Sequence, residues 1–269
     1  MKLTVLMDNH TEIDVYHLGE PAVSYWLEAD GKRFLFDTGY SDAFLKNAKA
    51  MGIDLTTADA ILLSHGHNDH TGGLPDLLAL PFSKKPRHIA HPHALLPKHW
   101  GTMDIGSPLS MKELQAKAIL EFTEAPLWLT DRLVFLGEIP HTVDFEPAYA
   151  IGETIIDGQT VPDIIDDDTA LAYVTDAGIY IITGCSHAGI CNIIQYAKAV
   201  TGKTKVLGLL GGLHLMEENE RSQKTVDFLA KEQISALYPC HCTAFPVRAA
   251  LHAVSPIQEV AVGMTLEWE

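Results

Sequence analysis

Cysteine, basic runs and long apolar stretches are all scarce in this chain of 269 residues. The four cysteines lie together in the C-terminal part, which indicates reduced thiols in a cytoplasm rather than a disulfide framework. They are Cys185, Cys191, Cys240 and Cys242. No stretch approaches the roughly 18 apolar residues that a membrane-spanning helix needs, and no signal peptide follows Met1-Lys2. We therefore expect a cytoplasmic protein without a membrane partner.

Positive charge is also sparse, since the formal net charge is -16 and the longest basic run is Lys84-Lys85. Such a surface repels phosphate backbones and anionic lipids, so nucleic acid is not an expected partner. A compact anionic small molecule remains compatible with this charge if bound metal and a few local cations hold it. The abundant residue is histidine, with fourteen copies.

Hydrophobic patterning and turn residues predict strands and helices in both halves of the chain. The predicted strands are 2–7, 23–29, 32–37, 60–64, 87–90, 169–174, 179–183, 205–210 and 236–239, and the predicted helices are 42–51, 74–80, 111–122, 190–200, 222–231 and 246–252. Asp30-Gly31 predicts a tight hairpin between two of these strands. This pattern favours an α/β protein of two packed sheets with helices outside, as one domain over 1–269. The irregular stretch around 91–122 is expected to be a lid or insertion.

The segment Ser64-His65-Gly66-His67-Asn68-Asp69-His70 carries the strongest chemical signal. It offers four potential metal ligands within six residues, directly after a strand and before a helix. Imidazole and carboxylate groups suit Zn, Fe or Mn. His65 and His67 can point to one side of an extended turn while Asp69 and His70 address a neighbouring position. One loop can therefore serve two metal ions that activate a water molecule between them.

This segment resembles the H-x-H-x-D-H signature of the metallo-β-lactamase superfamily, which implies an αββα sandwich of two mixed sheets with helices on both outer faces. Together, G-H-N-D-H-T-G-G, G-C-S-H-A-G, G-G-L-H-L and P-C-H-C-T resemble the branch named for a dihydropterin ribofuranosyl-aminobenzene phosphate synthase and described as metal-dependent hydrolases. The resemblance also implies that Asp37, in Leu35-Phe36-Asp37-Thr38-Gly39, supports the metal loop through hydrogen bonds without ligating. An ordinary turn residue is the other interpretation of Asp37.

Later histidines are needed to complete the metal shells. His187 and His241 each follow a short apolar strand, at the kind of strand end where ligands converge. His241 also matches the last ligand of the family. His214 follows a strand in the same way, and we predict for it a role in substrate binding or proton transfer rather than ligation.

Two departures from the family pattern leave alternatives open. Cys185 stands where many dinuclear relatives have a bridging aspartate, so it is either a thiolate ligand that favours Zn or a small buried packing residue. His141, in Pro140-His141-Thr142, superficially resembles the usual third histidine of the family. We favour His187 because it follows a strand directly.

The remaining histidines and cysteines receive plainer predictions. Cys240 and Cys242 flank His241, and in an extended chain they point away from it, so we expect both to be packing residues. His88, His91, His93, His99 and His252 are expected on the surface or on the lid. The basic residues Lys84, Lys85, Arg87 and Lys98 are either solvated or a local cluster that meets an anionic substrate.

The sequence thus predicts a hydrolase with two divalent transition metal ions, with Zn favoured over Fe or Mn. His65, His67 and His187 would hold one ion, and Asp69, His70 and His241 the other. A metal-bound hydroxide, oriented by Asp69, would attack a small phosphoester or a cyclic ester or amide. The alternatives are a pterin-related synthase or transferase at the same metals and a non-catalytic metal-binding protein.

Overall fold

The computed structural model describes residues 1–269 and contains seventeen strands and seven α-helices. The strands are β1 (Lys2–Met7), β2 (Ser24–Ala29), β3 (Lys32–Phe36), β4 (Ala60–Leu62), β5 (Arg87–Ala90), β6 (Lys98–Trp100), β7 (Met103–Asp104), β8 (Ile119–Phe122), β9 (Leu127–Trp128), β10 (Leu133–Phe135), β11 (Glu153–Ile156), β12 (Gln159–Pro162), β13 (Ala170–Val174), β14 (Ile179–Thr183), β15 (Val206–Gly212), β16 (Ala236–Cys240) and β17 (Thr265–Glu267). The helices are α1 (Ala43–Ala50), α2 (Asn68–Thr71), α3 (Leu74–Leu77), α4 (Met111–Lys117), α5 (Ile190–Thr201), α6 (Glu220–Glu232) and α7 (Phe245–Val254). Short 3₁₀ turns lie at Leu55–Thr57 and Pro92–Leu95.

Two large mixed sheets form the centre of the molecule. The first has seven strands in the order β17-β1-β2-β3-β4-β5-β8, and the second has six in the order β16-β15-β14-β13-β10-β9. Asp30 and Gly31 both have positive φ and join β2 to β3 by a two-residue turn, as a type I′ hairpin requires. The predicted mixed α/β sandwich is confirmed.

The core between the sheets is built from their inward-facing side chains. Phe34, Phe36 and Leu62 of the first sheet belong to the same buried cluster as Phe135 and Tyr173 of the second. Helices α5, α6 and α7 cover the outer face of the second sheet, and α1 and α3 cover that of the first. The αββα layering follows from burying both faces of each sheet.

The chain between β5 and β8 differs from its prediction in two respects. The predicted helix 111–122 ends at Lys117, because Ala118 is extended and Ile119–Phe122 pair with β5 as a parallel edge strand. In addition, β6 and β7 join β11 and β12 in a third, four-stranded sheet that patterning did not predict. Much of 91–122 is therefore regular structure, and its role as a lid remains a prediction.

Strands β9 and β17 were also not predicted, and the other differences move the ends of elements. Helix α3 is shorter than predicted, whereas β15 runs on to Gly212. Among the seven helices, none combines the length and apolarity needed to cross a bilayer.

Strand polarity determines where the loops meet. β3 and β4 run parallel in the first sheet, and β14, β15 and β16 run parallel in the second. The segments that follow these five strands contain nearly all the residues singled out by the sequence. Parallel strands present their carboxyl ends at one edge, which brings these loops together.

Candidate metal centre

The His-rich loop leaves β4 and winds directly into α2. His67 precedes the first residue of α2 with extended φ and ψ, so the chain turns between His67 and Asp69. The Nε2 atom of His65 lies 3.1 Å from Nδ1 of His67. Between them, Gly66 packs so closely on the backbone carbonyl of Ala94 that a Cβ atom has no room. The glycine is therefore required for the loop to reach this position.

Asp37 anchors this loop through hydrogen bonds to its carboxylate. One carboxylate oxygen accepts hydrogen bonds from Nδ1 of His70 at 2.7 Å and from the Ser64 hydroxyl at 2.6 Å, and the other accepts from the Ser64 amide at 2.7 Å. The carboxylate is fully buried and points at the back of the His70 ring. Such a contact fixes the ring so that its Nε2 atom faces the site.

The loops after β14 and β16 bring further ligand types to the same place. The His187 ring centroid lies 4.7 Å from that of His65 and 4.9 Å from that of His67. His241 Nε2 lies 3.3 Å from Asp69 Oδ2, and Cys185 Sγ lies 3.2 Å from His70 Nε2. These side chains are far apart in sequence and converge only through the sheet topology.

Potential ligand atoms fall into overlapping groups whose members all lie within 4.8 Å of one another. The groups at this place are Asp69/His70/Cys185/His241, His65/Cys185/His187, His65/His67/Asp69 and Cys185/His214/Cys242. Every ligand that the sequence analysis favours is present in at least one group. His141 is in none of them: its exposed ring bonds the carbonyl of Glu146 instead.

Protonation states and unused nitrogens both fit a metal at this place. Burial lowers the pKa of His65 and His187 well below the ordinary value and that of His67 to about 4, so these imidazoles are neutral near pH 7. His67 Nε2 and both ring nitrogens of His187 are buried without hydrogen-bond partners. Unpartnered buried nitrogens are costly unless something binds them, and a divalent ion would.

His70 and Asp69 show the complementary effect. Although burial opposes protonation, the carboxylates of Asp69 and Asp37 raise the pKa of His70 well above its usual value. Burial also opposes ionisation of Asp69, but His70 and His241 bring its pKa well below the usual range. A position that favours a proton this strongly also favours a metal cation in its place.

A pocket of about 410 Å³ opens directly above these groups. Its floor is polar, and its walls are mostly apolar and partly exposed: Pro21, Tyr40, Trp100, Ile105, Ile151 and Met216. Neither lysine nor arginine lines it. The size and lining of the pocket are compatible with a small molecule that has an apolar or planar part.

The predicted substrate-binding role of the basic residues finds no support here. Lys98 is buried, with its ammonium 2.9 Å from carboxylate oxygens of both Asp163 and Asp167. Arg87 pairs with Glu121 at the surface. Opposite charges thus neutralise both cations, and neither faces the pocket.

Two further expectations were wrong. Cys242 lines the pocket and has its thiol in a ligand group, because His241 adopts positive φ and breaks the alternation of an extended chain. His88 is buried rather than superficial; His91 is buried too, but it lies in the 91–122 segment, so its expected place on the lid stays a prediction. By contrast, Cys240 is a packing residue as expected, buried beside the Tyr25 hydroxyl.

The sequence analysis did not predict a role for the acidic run Asp166-Asp167-Asp168. Asp167 accepts a hydrogen bond from the Gly66 amide at 2.6 Å, and Asp168 accepts one from the Ala188 amide at 3.0 Å. The run therefore ties the His65–His70 loop to the loop that carries His187. Three consecutive carboxylates directly before a buried strand were the available signal.

Comparison with known proteins agrees with this geometry. The family model for the metallo-β-lactamase superfamily matches residues 18–202. The chain is 30% identical over 262 residues to 7,8-dihydropterin-6-methyl-4-(β-D-ribofuranosyl)-aminobenzene-5′-phosphate synthase of Methanocaldococcus jannaschii, covering 91% of this chain and 88% of the relative. An uncharacterized protein of the same organism is 32% identical over 244 residues, covering 90% of this chain and 91% of the relative. The crystal structure of Tm1679, described as a metal-dependent hydrolase of the β-lactamase superfamily, superimposes with a TM-score of 0.84 at 28% identity, covering 100% and 99% of the two chains.

Proposed function

Because this chain belongs to the metallo-β-lactamase superfamily, we propose that it is a metal-dependent hydrolase acting on a small cyclic ester, amide or phosphoester. The carrying observation is the convergence of neutral, unpartnered imidazoles with Asp69 and Cys185 beneath an open pocket. Two divalent ions, Zn in first place and Fe or Mn in second, would supply Lewis-acid activation of water and of the substrate centre. His65, His67 and His187 would hold one, and Asp69, His70 and His241 the other.

The protein side chains supply positioning and proton transfer. The Asp69 side chain, 20% exposed, faces the pocket between two histidines, where its carboxylate would orient the attacking water and accept its proton. His214 lines the same pocket, and its Nδ1 atom is buried without a partner. Beside Cys185 and Cys242, this imidazole can serve either the substrate, as a proton donor, or a bound ion, as a ligand.

The pocket walls limit the substrate class. Because no cation lines the pocket, a negatively charged group of the substrate must be neutralised by the metal ions themselves. The aromatic faces of Tyr40 and Trp100 suit a ring or an apolar chain on the other side. A net charge of -16 supports a small-molecule partner rather than a nucleic acid.

One relative supports a second candidate function. The archaeal synthase at 30% identity supports a pterin-related synthase reaction at the same metals. The aromatic walls suit a flat heterocycle equally well. In that case the protein would bind a pterin tightly and hydrolyse none of the simpler esters.

A substrate panel separates the two. Phosphodiesters, phosphomonoesters, lactones and β-lactams are incubated with the Zn, Mn and Fe forms. Metal-dependent turnover that His67→Ala abolishes, and that the exposed-histidine control His252→Ala retains, supports the hydrolase. Failure of every metal form on the panel, together with tight binding of an unhydrolysed pterin, would favour the synthase.

A further inference from the structure

We propose that Cys242 is a metal ligand, and that Cys185, His214 and Cys242 form a sulfur-rich coordination position at the edge of the metal centre. The inference rests on the proposed metal-dependent function, but it concerns which atoms hold the metal and not which substrate is cleaved. It gives the centre thiolate as well as imidazole donors.

The three side chains meet because three adjacent parallel strands end beside one another. Cys185 follows β14, His214 follows β15 and Cys242 follows β16, and their ligand atoms lie within 4.8 Å of one another. His214 and His241 both adopt positive φ, which is uncommon outside glycine and turns the chain sharply after each strand. These two turns bring the His214 and Cys242 side chains back toward Cys185.

Gly212 leaves room for the Cys242 thiol. A Cβ atom on Gly212 would lie 2.5 Å from Cys242 Sγ and 2.7 Å from the Gly184 carbonyl oxygen, so any other residue here would displace the thiol. In the present arrangement Cys242 Sγ lies over Gly212, 3.5 Å from the Cys185 carbonyl oxygen. It also accepts a weak hydrogen bond from the His214 amide at 3.3 Å.

The donor set is that of a catalytic transition-metal position. Two cysteine sulfurs and one imidazole, with a fourth place open to solvent or substrate, is a known arrangement for catalytic zinc. His214 Nδ1 is buried without a partner, and Cys242 lines the open pocket. Sulfur donors of this kind favour Zn over harder ions such as Mg or Mn.

A packing role alone accounts poorly for Cys242. Cys240, two residues earlier, shows what packing looks like in this chain: it is buried in the inter-sheet core against the Tyr25 hydroxyl, and it belongs to no ligand group. Cys242 instead faces imidazole and thiol groups at the pocket. Cys185 belongs to three of the ligand groups, so its sulfur links the proposed position to both histidine sets.

Cobalt substitution tests the inference without any substrate. Reduced, chelator-stripped full-length protein is titrated with Co²⁺, and the near-ultraviolet thiolate-to-cobalt charge-transfer absorption is recorded. We expect this band in the wild type, a clearly weaker band in Cys242→Ala, and a metal affinity lowered roughly 10- to 100-fold or more. Cys191→Ala is the matched control, because Cys191 is buried in the α5 core and belongs to no ligand group.

Several results would overturn the inference. They are absence of the band in the reduced wild type, or a band and affinity in folded Cys242→Ala equal to those of Cys191→Ala. A Cys185–Cys242 disulfide that peptide mass spectrometry finds in freshly isolated protein and that resists reductant would overturn it too, since no thiolate remains. If Cys242→Ala does not fold, by circular dichroism, Cys242→Ser replaces it under the same criteria. Failure of the substrate panel leaves the band untouched, so the two proposals fail separately.

Discussion

Replacing Lys98 by Met tests the buried charge network beneath the His-rich loop. The Lys98 ammonium lies 2.9 Å from Asp163 and 2.9 Å from Asp167, and all three side chains are at most 3% exposed. The change leaves two buried carboxylates without their counter-ion. Removing one partner of a buried ion pair costs roughly 3–5 kcal/mol of unfolding free energy.

This loss translates into a measurable melting temperature. At about 2–4 °C per kcal/mol for a chain of this size class, Lys98→Met should lower the Tm by about 6–20 °C at pH 7. The surface variant Lys46→Met is the control, because Lys46 pairs with Asp42 at 2.8 Å with a side chain 59% exposed. Exposed pairs contribute about 0–1 kcal/mol, so this control should melt close to the wild type.

The loss of stability in Lys98→Met should depend on pH in a direction that follows from the pKa shifts of Asp167 and Lys98. Despite burial, Lys98 holds the pKa of Asp167 below its usual value, so the stability from Asp167 is present above about pH 4 and is lost as pH falls through the folded-state pKa. Burial opposes the charge of Lys98, but Asp167 and Asp163 raise its pKa, so its contribution is present up to the unfolded value near 10.5. The deficit of Lys98→Met should therefore be largest between about pH 5 and 10 and shrink in acid, where the stranded Asp167 protonates.

The assay is urea and thermal unfolding of chelator-stripped wild type and variants at several pH values. Lys98→Met/Asp167→Asn should recover part of the loss, because the second change removes one of the two stranded charges. A Lys98→Met variant that melts within the range of Lys46→Met, at every pH, would refute the argument.

Four more outcomes follow from the site. Asp37→Asn should weaken metal binding roughly 10- to 100-fold by elemental analysis after competition with a chelator, and unchanged affinity would contradict its supporting role. Gly66→Ala should lose about 1–3 kcal/mol in urea unfolding, since the new methyl group meets the carbonyl of Ala94; wild-type stability would contradict that close contact. Burial raises the pKa of Asp168 to about 8, so its stabilising effect declines as pH rises from about 4 to 8. Asp168→Asn should flatten stability over that range in metal-free protein, while its amide oxygen still accepts the bond from Ala188; an unchanged pH profile would contradict this. Finally, RNA or DNA should bind no more tightly than roughly 0.1 mM to micromolar at physiological salt, and tight, salt-sensitive binding in a filter assay would contradict the assignment of a small-molecule partner.

Local pattern was sufficient for most elements of the two large sheets with their covering helices, and for the central loop. Apolar strands, the Asp30-Gly31 turn and the dense His65–His70 segment depend on neighbours within a few residues, so the sequence alone predicts them. The strand-end positions of His187 and His241 were predictable for the same reason. That these residues bind metal remains a prediction, although the structure brings them together.

Tertiary structure decided what depends on contacts between distant segments. From the sequence, Lys98 resembles the other surface cations. In the structure it is buried between Asp163 and Asp167. Ile119–Phe122 continues a helical pattern, but pairing with β5 makes it a strand, because cross-strand hydrogen bonds and burial outweigh local propensity.

The same holds for the edge of the metal centre. Cys242 faces the pocket only because the chain reverses at His241 and because Gly212, thirty positions earlier, has no side chain. Asp167 and Asp168 acquire their roles from loops about a hundred residues before them and twenty residues after them. The sequence shows which residue types are present and how neighbouring side chains are directed. Whether distant side chains meet at one metal position depends on strand order and on the conformation of single residues in the loops.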